Sequence, residues 1–302
     1  MTHTLLWVPF TLAACLAQVF RNGAQANLTA KIGTLGATQV RFVFGLPFAA
    51  LFLIAGLAAA GTAMPAFGSV SLRWVALGAV AQIAGTALML AVMNRRAFGV
   101  AYAYIKTEPV IVALLGAVLL GDHLPPLAWA ATAVVTVGVV LSSVKPGEFG
   151  KLLKEGSMIA GGMAAGGMFG LSSIAFRGAI NGLPDGTYLI RALSVLVVSL
   201  VIQTVLLSLW LALRDRAAFI GSVREWRSSI GAGFLGALSS ACWFTAFALT
   251  AAANVRTLGL VELLLAALLS GRLTGHRMAR HEVLGLVVVL AGVGLLLAAV
   301  AA

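Results

Sequence analysis

Acidic residues are scarce in this chain, with nine Asp and Glu among 302 residues, and charged residues of both signs make up only 10%. Soluble domains carry about 25% charged residues, so a water-facing globular surface is excluded. A chain held open by its own charge is excluded for the same reason. Cysteine is nearly missing: Cys15 and Cys242 both sit inside apolar runs and leave neither a disulfide framework nor metal-ligand spacing. His123, His276 and His281 stand in connections without ligand-like spacing, so no metal and no cofactor is expected. Lys and Arg are absent ahead of Leu12-Ala13-Ala14-Cys15. A secretory leader normally opens with them, so this lipoprotein-like box reads as chance.

Hydrocarbon is abundant. Hydrophobic residues make up 61% of the chain, and the mean hydropathy is +1.05. Ten apolar stretches follow one another, at about 4–27, 35–58, 72–93, 98–120, 126–144, 157–178, 187–211, 229–250, 254–271 and 283–301. A helix crosses the bilayer core with about 20 such residues. The stretches are rich in Leu, Ala and Gly and lack inside–outside alternation, which excludes a β-barrel. Pro65, Pro125-Pro126, Pro146-Gly147 and Gly182-Leu183-Pro184 punctuate them. The expected fold is an all-α integral membrane protein of ten transmembrane helices.

The formal charge of +11 needs an explanation in such a chain. Four basic clusters hold 12 of the 20 Lys and Arg: Arg95 and Arg96; Lys145, Lys151 and Lys154; Arg214, Arg216, Arg224 and Arg227; Arg272, Arg277 and Arg280. They lack the interleaved aromatics of a nucleic-acid groove, so no nucleic-acid partner is expected. With ten spans, all four clusters fall on one face, and the opposite connections offer only Arg73, Arg177 and Arg256. Basic loops stay in the cytoplasm, so both termini are expected on the non-cytoplasmic side.

The chain also repeats itself. Thr107-Glu108-Pro109-Val110 in the fourth stretch matches Val261-Glu262-Leu263-Leu264 in the ninth, and Ala113 matches Ala267, at an offset of 154. Thr38-Gln39-Val40-Arg41 answers Tyr188-Leu189-Ile190-Arg191 at an offset of 150. This divides the chain into halves, 1–148 and 149–302, of five spans each. Five is odd, so the second half lies upside down relative to the first, as inverted repeats do in transporters.

A charge near the bilayer centre costs about 2.5–3.5 kcal/mol on the milder insertion scale. Among the acids only Glu108 and Glu262 lie well inside spans, with Arg41, Lys106 and Arg191 in the same neighbourhoods. Two readings stay open. In one, Glu108 pairs with Arg41 and Glu262 with Arg191, locking helices together. In the other, the glutamates titrate, bind a cation or proton, or meet a solute. Tyr104 and Glu108 are i and i+4 on a continuous helix and share a face, whereas Lys106 and Glu108 point apart. Pro109 cannot donate to the Ile105 carbonyl, so a kink is expected there.

Gln18, Asn22, Gln25 and Thr29 form a polar stripe on the first stretch, read as pore-facing, while Gln82 and Asn94 read as isolated interhelical hydrogen-bonding groups. Trp243, deep in the eighth stretch, either packs or faces a ligand. Trp210 and Trp226 read as interface anchors. Gly231-Ala232-Gly233-Phe234-Leu235-Gly236 fits a dinucleotide fingerprint but opens no βαβ unit. Close helix packing accounts for it, as it does for Gly162, Gly166 and Gly170.

Together these features resemble the EamA-type members of the drug/metabolite transporter superfamily. The local matches are Gln39-Val40-Arg41-Phe42, the stretch from Glu108-Pro109-Val110 to Leu119-Leu120-Gly121-Asp122, and a Gly-rich last span in each half. The resemblance implies a secondary transporter of the inner membrane, commonly an exporter of amino acids or related small metabolites, working by alternating access. Spans 1, 3, 4, 6, 8 and 9 would then line the solute path. Gln18, Asn22, Gln25, Tyr104, Glu108, Trp243 and Glu262 would meet solute, and Arg41, Lys106 and Arg191 would supply ion pairs or gates. A coupling proton and a second copy of the chain are further partners such a protein admits. The sequence departs from the family pattern at Asp122, where Glu is usual, at Gly275-His276, and at Leu263, where the first half has proline. Many relatives also keep their termini in the cytoplasm. The rival classes are a membrane-embedded enzyme acting on lipid, for which the loops lack an acid/base cluster, and a non-transporting channel or scaffold. The expected orientation is testable: a reporter enzyme that works only outside the cytoplasm, fused after Ala302, should be active, and inactivity there with activity of a cytoplasmic reporter would reverse it.

Overall fold

The computed structural model describes residues 5–93, 104–147, 156–274 and 278–301, and every regular element in them is helical. Asn94, Arg95, Arg96, Lys151, Lys154, Gly275, His276 and Arg277, named above from sequence, lie outside the described residues. The helices are α1 (Trp7–Val43), α2 (Gly45–Ala60), α3 (Ser69–Met93), α4 (Glu108–Leu115), α5 (Pro126–Ser143) and α6 (Gly156–Asn181) in the earlier part of the chain. They continue with α7 (Tyr188–Arg214), α8 (Arg216–Arg224), α9 (Trp226–Leu249), α10 (Ala252–Gly259), α11 (Glu262–Thr274) and α12 (Arg280–Ala301). Among the described residues, eight helices are long and apolar enough to cross a membrane, and Glu108–Leu120 is a shorter apolar one. Large hydrophobic side chains stand open on many of them, including Leu51, Ile54, Val118, Leu209 and Val287. Apolar faces this extensive are stable against hydrocarbon rather than water, and the chain is a multi-pass membrane protein.

The expected loop between the first two stretches is a single residue. Gly33 takes φ 71° and ψ 171° and interrupts α1, a conformation that a residue with a Cβ adopts only under strain. On a straight helix Gln25 and Ala37 would stand about 18 Å apart. The Gln25 Nε2 donates to the Ala37 carbonyl at 2.9 Å, so the chain folds back on itself at Gly33. Leu28, Ala37, Val40 and Ala232 fill the angle of that fold.

The chain forms two compact units: Met1–Val8, Ala84–Ile174 and Thr250–Ala302 in the first, Pro9–Ile83 and Ala175–Leu249 in the second. In the first unit α5 and α12 pack along their length, and glycine sets how closely. A Cβ on Gly138 would stand 2.7 Å from the Val289 amide nitrogen and 2.8 Å from the Gly285 carbonyl. A Cβ on Gly292 would stand 2.9 Å from the Val135 nitrogen. The two contacts are reciprocal, since 138 and 292, like 135 and 289, differ by 154. In the second unit α2, α7 and α9 pack pairwise. There Gly233 lets α9 lie on the Phe44 backbone, where a Cβ would come within 2.6 Å, which is the close packing expected of the glycine-rich stretch. Gly138→Ala is expected to destabilise the protein by about 1–3 kcal/mol, because backbone rather than a flexible side chain blocks the methyl. Gly294, with nothing within 4 Å of its Cβ position, serves as control: Gly294→Ala should leave the thermal midpoint of the purified protein unchanged.

Candidate functional site

The fourth apolar stretch does more than kink. Residues Lys106 and Thr107 form a turn, and α4 restarts at Glu108 with Pro109 as its second residue. Proline fits there because the first turn of a helix has no use for its missing N–H. The Thr107 amide donates to the Tyr104 carbonyl at 3.2 Å. The Thr107 hydroxyl donates to the same oxygen at 2.7 Å. The Ile105 carbonyl, which Pro109 cannot serve, faces α6, where a Cβ on Gly166 would lie 2.8 Å from its oxygen. Gly170 of the same seam lies against Val112. Beyond α4 the helix widens into a π-helical turn, Gly116–Leu120, closed by Gly121 in the left-handed region at φ 66°.

The ninth apolar stretch breaks at the equivalent place without a proline. Leu260 and Val261 form the turn between α10 and α11, and α11 restarts at Glu262. The Val261 amide donates to the Leu258 carbonyl at 3.0 Å, which is the Thr107–Tyr104 bond displaced by 154 residues. Each glutamate therefore opens a helix, where the positive end of the helix dipole favours its charge. Glu108 is 4% exposed and Glu262 7%.

Their partners differ from those expected. The Nε and Nη2 of Arg256 each donate to one oxygen of Glu108 at 2.6 Å. Lys106 donates from Nζ to Glu262. Each carboxylate thus takes its cation from the chain segment that leads into the other. Two negative and two positive groups close a neutral set, which lowers the cost of holding them in hydrocarbon. A two-pronged arginine on a carboxylate also fixes orientation as well as charge. The hydroxyls of Thr132 and Thr257, 3.1 Å apart, link α5 to α10 just beside this set.

Arg256 was counted above as a connection residue, and it is instead inside α10, whose other residues from Ala252 to Gly259 are all buried. The local sign was its place inside the ninth apolar stretch, 254–271, rather than before it. The turn at 106–107 also removes the continuous helix that would put Tyr104 and Glu108 on one face; Tyr104 is half-buried.

Arg41 and Arg191 belong to the second unit. Arg41 lies over the Phe42 ring at 5.5 Å. Its stem and that of Arg21 pass the bare Cα of Gly236, where a Cβ would meet them at 3.3 and 3.6 Å. Arg21 donates to the Asn22 side chain at 2.9 Å. The Trp243 indole is 7% exposed, stacks near Phe247 and donates to Gln18 at 3.2 Å. Gln82, read as an interhelical hydrogen-bonding group, accepts from Gln203 at 2.6 Å. Arg177, also counted as a connection residue, caps α9 by donating to the Phe247 carbonyl at 2.7 Å.

Residues 156–298 match the EamA-like transporter family. That match covers most of the second half of the chain. No curated protein matches the chain in sequence. A solved crystal structure of a protein covers 96% of this chain and 95% of its own, with a TM-score of 0.70 at 18% identity, which shows a shared fold.

The cross-paired set has an energetic signature. Glu108→Gln strands Arg256 with a buried neutral partner and is expected to cost about 3–5 kcal/mol, whereas Glu108→Gln combined with Arg256→Met removes both charges and should recover much of it. Thermal unfolding of the single and double variants in detergent measures the difference. Equal midpoints would mean that the pair carries no coupling.

Proposed function

We propose that this chain, with its EamA-like transporter match over 156–298, is a secondary active transporter of the inner membrane. It exports a small polar or amphipathic metabolite, an amino acid or related solute, by alternating access. Ten spans in two inverted halves, 1–148 and 149–302, form the protein, and both termini lie on the non-cytoplasmic side. The reciprocal Gly138–Val289 and Gly292–Val135 approaches support a two-fold relation between the halves. The equivalent breaks at 106–107 and 260–261 support it too.

One observation carries the functional reading: two buried glutamates open discontinuous helices and take their cations crosswise. Interrupted helices at membrane depth are how transporters present charge to solutes and ions. Protonating either glutamate would release its cation, Arg256 or Lys106. That cation then holds the anionic end of a solute, so proton and solute exchange on one set of groups. Pro109 and the turn before it give the helix its point of bending. In the second unit, Gln18, Asn22, Gln25 and Trp243 offer neutral polar contacts, and Arg41 and Arg191 offer positive charge to an anionic group.

A thermal-shift screen of a metabolite library on the purified protein identifies solutes. Flux of each hit into proteoliposomes, with and without a pH gradient, tests the coupling. Glu108→Gln and Glu262→Gln are expected to lose gradient-driven accumulation. A folded Glu108→Gln protein that transports like the parent would remove the central role given to this set.

A further inference from the structure

The connection between α7 and α9 carries a helix that the transport reading leaves unused. α8 is nine residues long, and at 100° per residue its faces separate cleanly. Ala218 and Ser222 are buried on one side. Opposite them, Arg216, Ile220, Val223 and Arg224 fall within an arc of about 100°, and all four are exposed. Ile220 is 52% and Val223 50% exposed, flanked by Leu213 at 73% and Trp226 at 48%. On α7, Leu209 is also exposed, at 58%.

Four arginines surround it: Arg214 and Arg216 at one end, Arg224 and Arg227 at the other. The local acids are already engaged. Asp215 caps α8 by accepting from the Ala218 amide at 3.0 Å, and Glu225 accepts from Lys31 at 3.2 Å. Arg227 lies over the Trp226 ring at 5.2 Å, the amphipathic pairing of a membrane-interface anchor. Exposed aliphatic side chains between exposed arginines fit neither water nor the hydrocarbon core. They fit the boundary between anionic headgroups and acyl chains.

We infer that α8, with the adjoining ends of α7 and α9, is a binding surface for anionic phospholipid: Ile220 and Val223 enter the acyl region while Arg214, Arg216, Arg224 and Arg227 hold headgroup phosphates. The buried side of α8 rests on the break in α1. A Cβ on Gly221 would lie 3.0 Å from Ile32 Cγ2, and one on Gly36 would lie 3.3 Å from the Ala218 carbonyl. Lys31 is tied to Glu225 across the same joint. Lipid held by α8 therefore steadies the fold of α1 at Gly33, the turn that sets the polar stripe of Gln18, Asn22 and Gln25.

Native mass spectrometry of the full chain, in micelles with equimolar phosphatidylglycerol and phosphatidylcholine, tests this without any assay of transport. The parent protein is expected to retain phosphatidylglycerol in preference, and the preference should fall as salt is added. Changing the four arginines to Gln should abolish it, each losing about fivefold in affinity. The corresponding four-Lys protein keeps the charge and should keep the preference. Equal retention of the two lipids by the parent, an undiminished preference in the Gln protein, or its loss in the Lys protein would overturn the assignment. If the Gln protein does not fold, the parent and Lys proteins still decide it.

Discussion

The first unit is organised around the cost of keeping four charged groups in a low-dielectric interior. Glu108, Glu262, Lys106 and Arg256 are tolerable there only as a neutral set, and a neutral set forms only if the segments that bear them meet. Lys106 and Glu262 are 156 residues apart in the chain, and Arg256 and Glu108 are 148 apart. The close glycine contacts of α5 with α12 and of Gly166 with Ile105 bring those segments within reach. The absence of side chains at these positions is thus tied to the presence of charge at the others.

The interrupted spans follow the same logic. A carboxylate at the first residue of a helix is stabilised by the helix dipole, whereas in mid-helix it is not. Pro109 suits the break in the fourth apolar stretch, but the ninth breaks at the equivalent residues with Leu263 in place of proline. The common element is the glutamate with its cation. Proline makes the turn easier to form rather than causing it.

Of the three cations counted against the basic face, Arg177 caps a helix end and Arg256 bonds Glu108. Both are spent on internal contacts. Arg73, which bonds the Ser69 carbonyl of its own helix, is exposed.

What the sequence determined by itself was the membrane class, the apolar helical character, the repeat offset of 154 and the two glutamates as residues out of place. These are local properties: hydropathy, spacing and composition are written along the chain and do not depend on what packs where. The partner of each glutamate was decided only by tertiary structure. Arg41 and Arg191 were the natural candidates on repeat position, yet Arg256, which looked like a connection residue, holds Glu108. The reduction of a loop to Gly33 alone was likewise invisible, because a single glycine signals a break without saying how far the chain turns. Ion pairing in a membrane is selected by which backbones can approach most closely, and that approach is set by contacts some 150 residues apart in sequence.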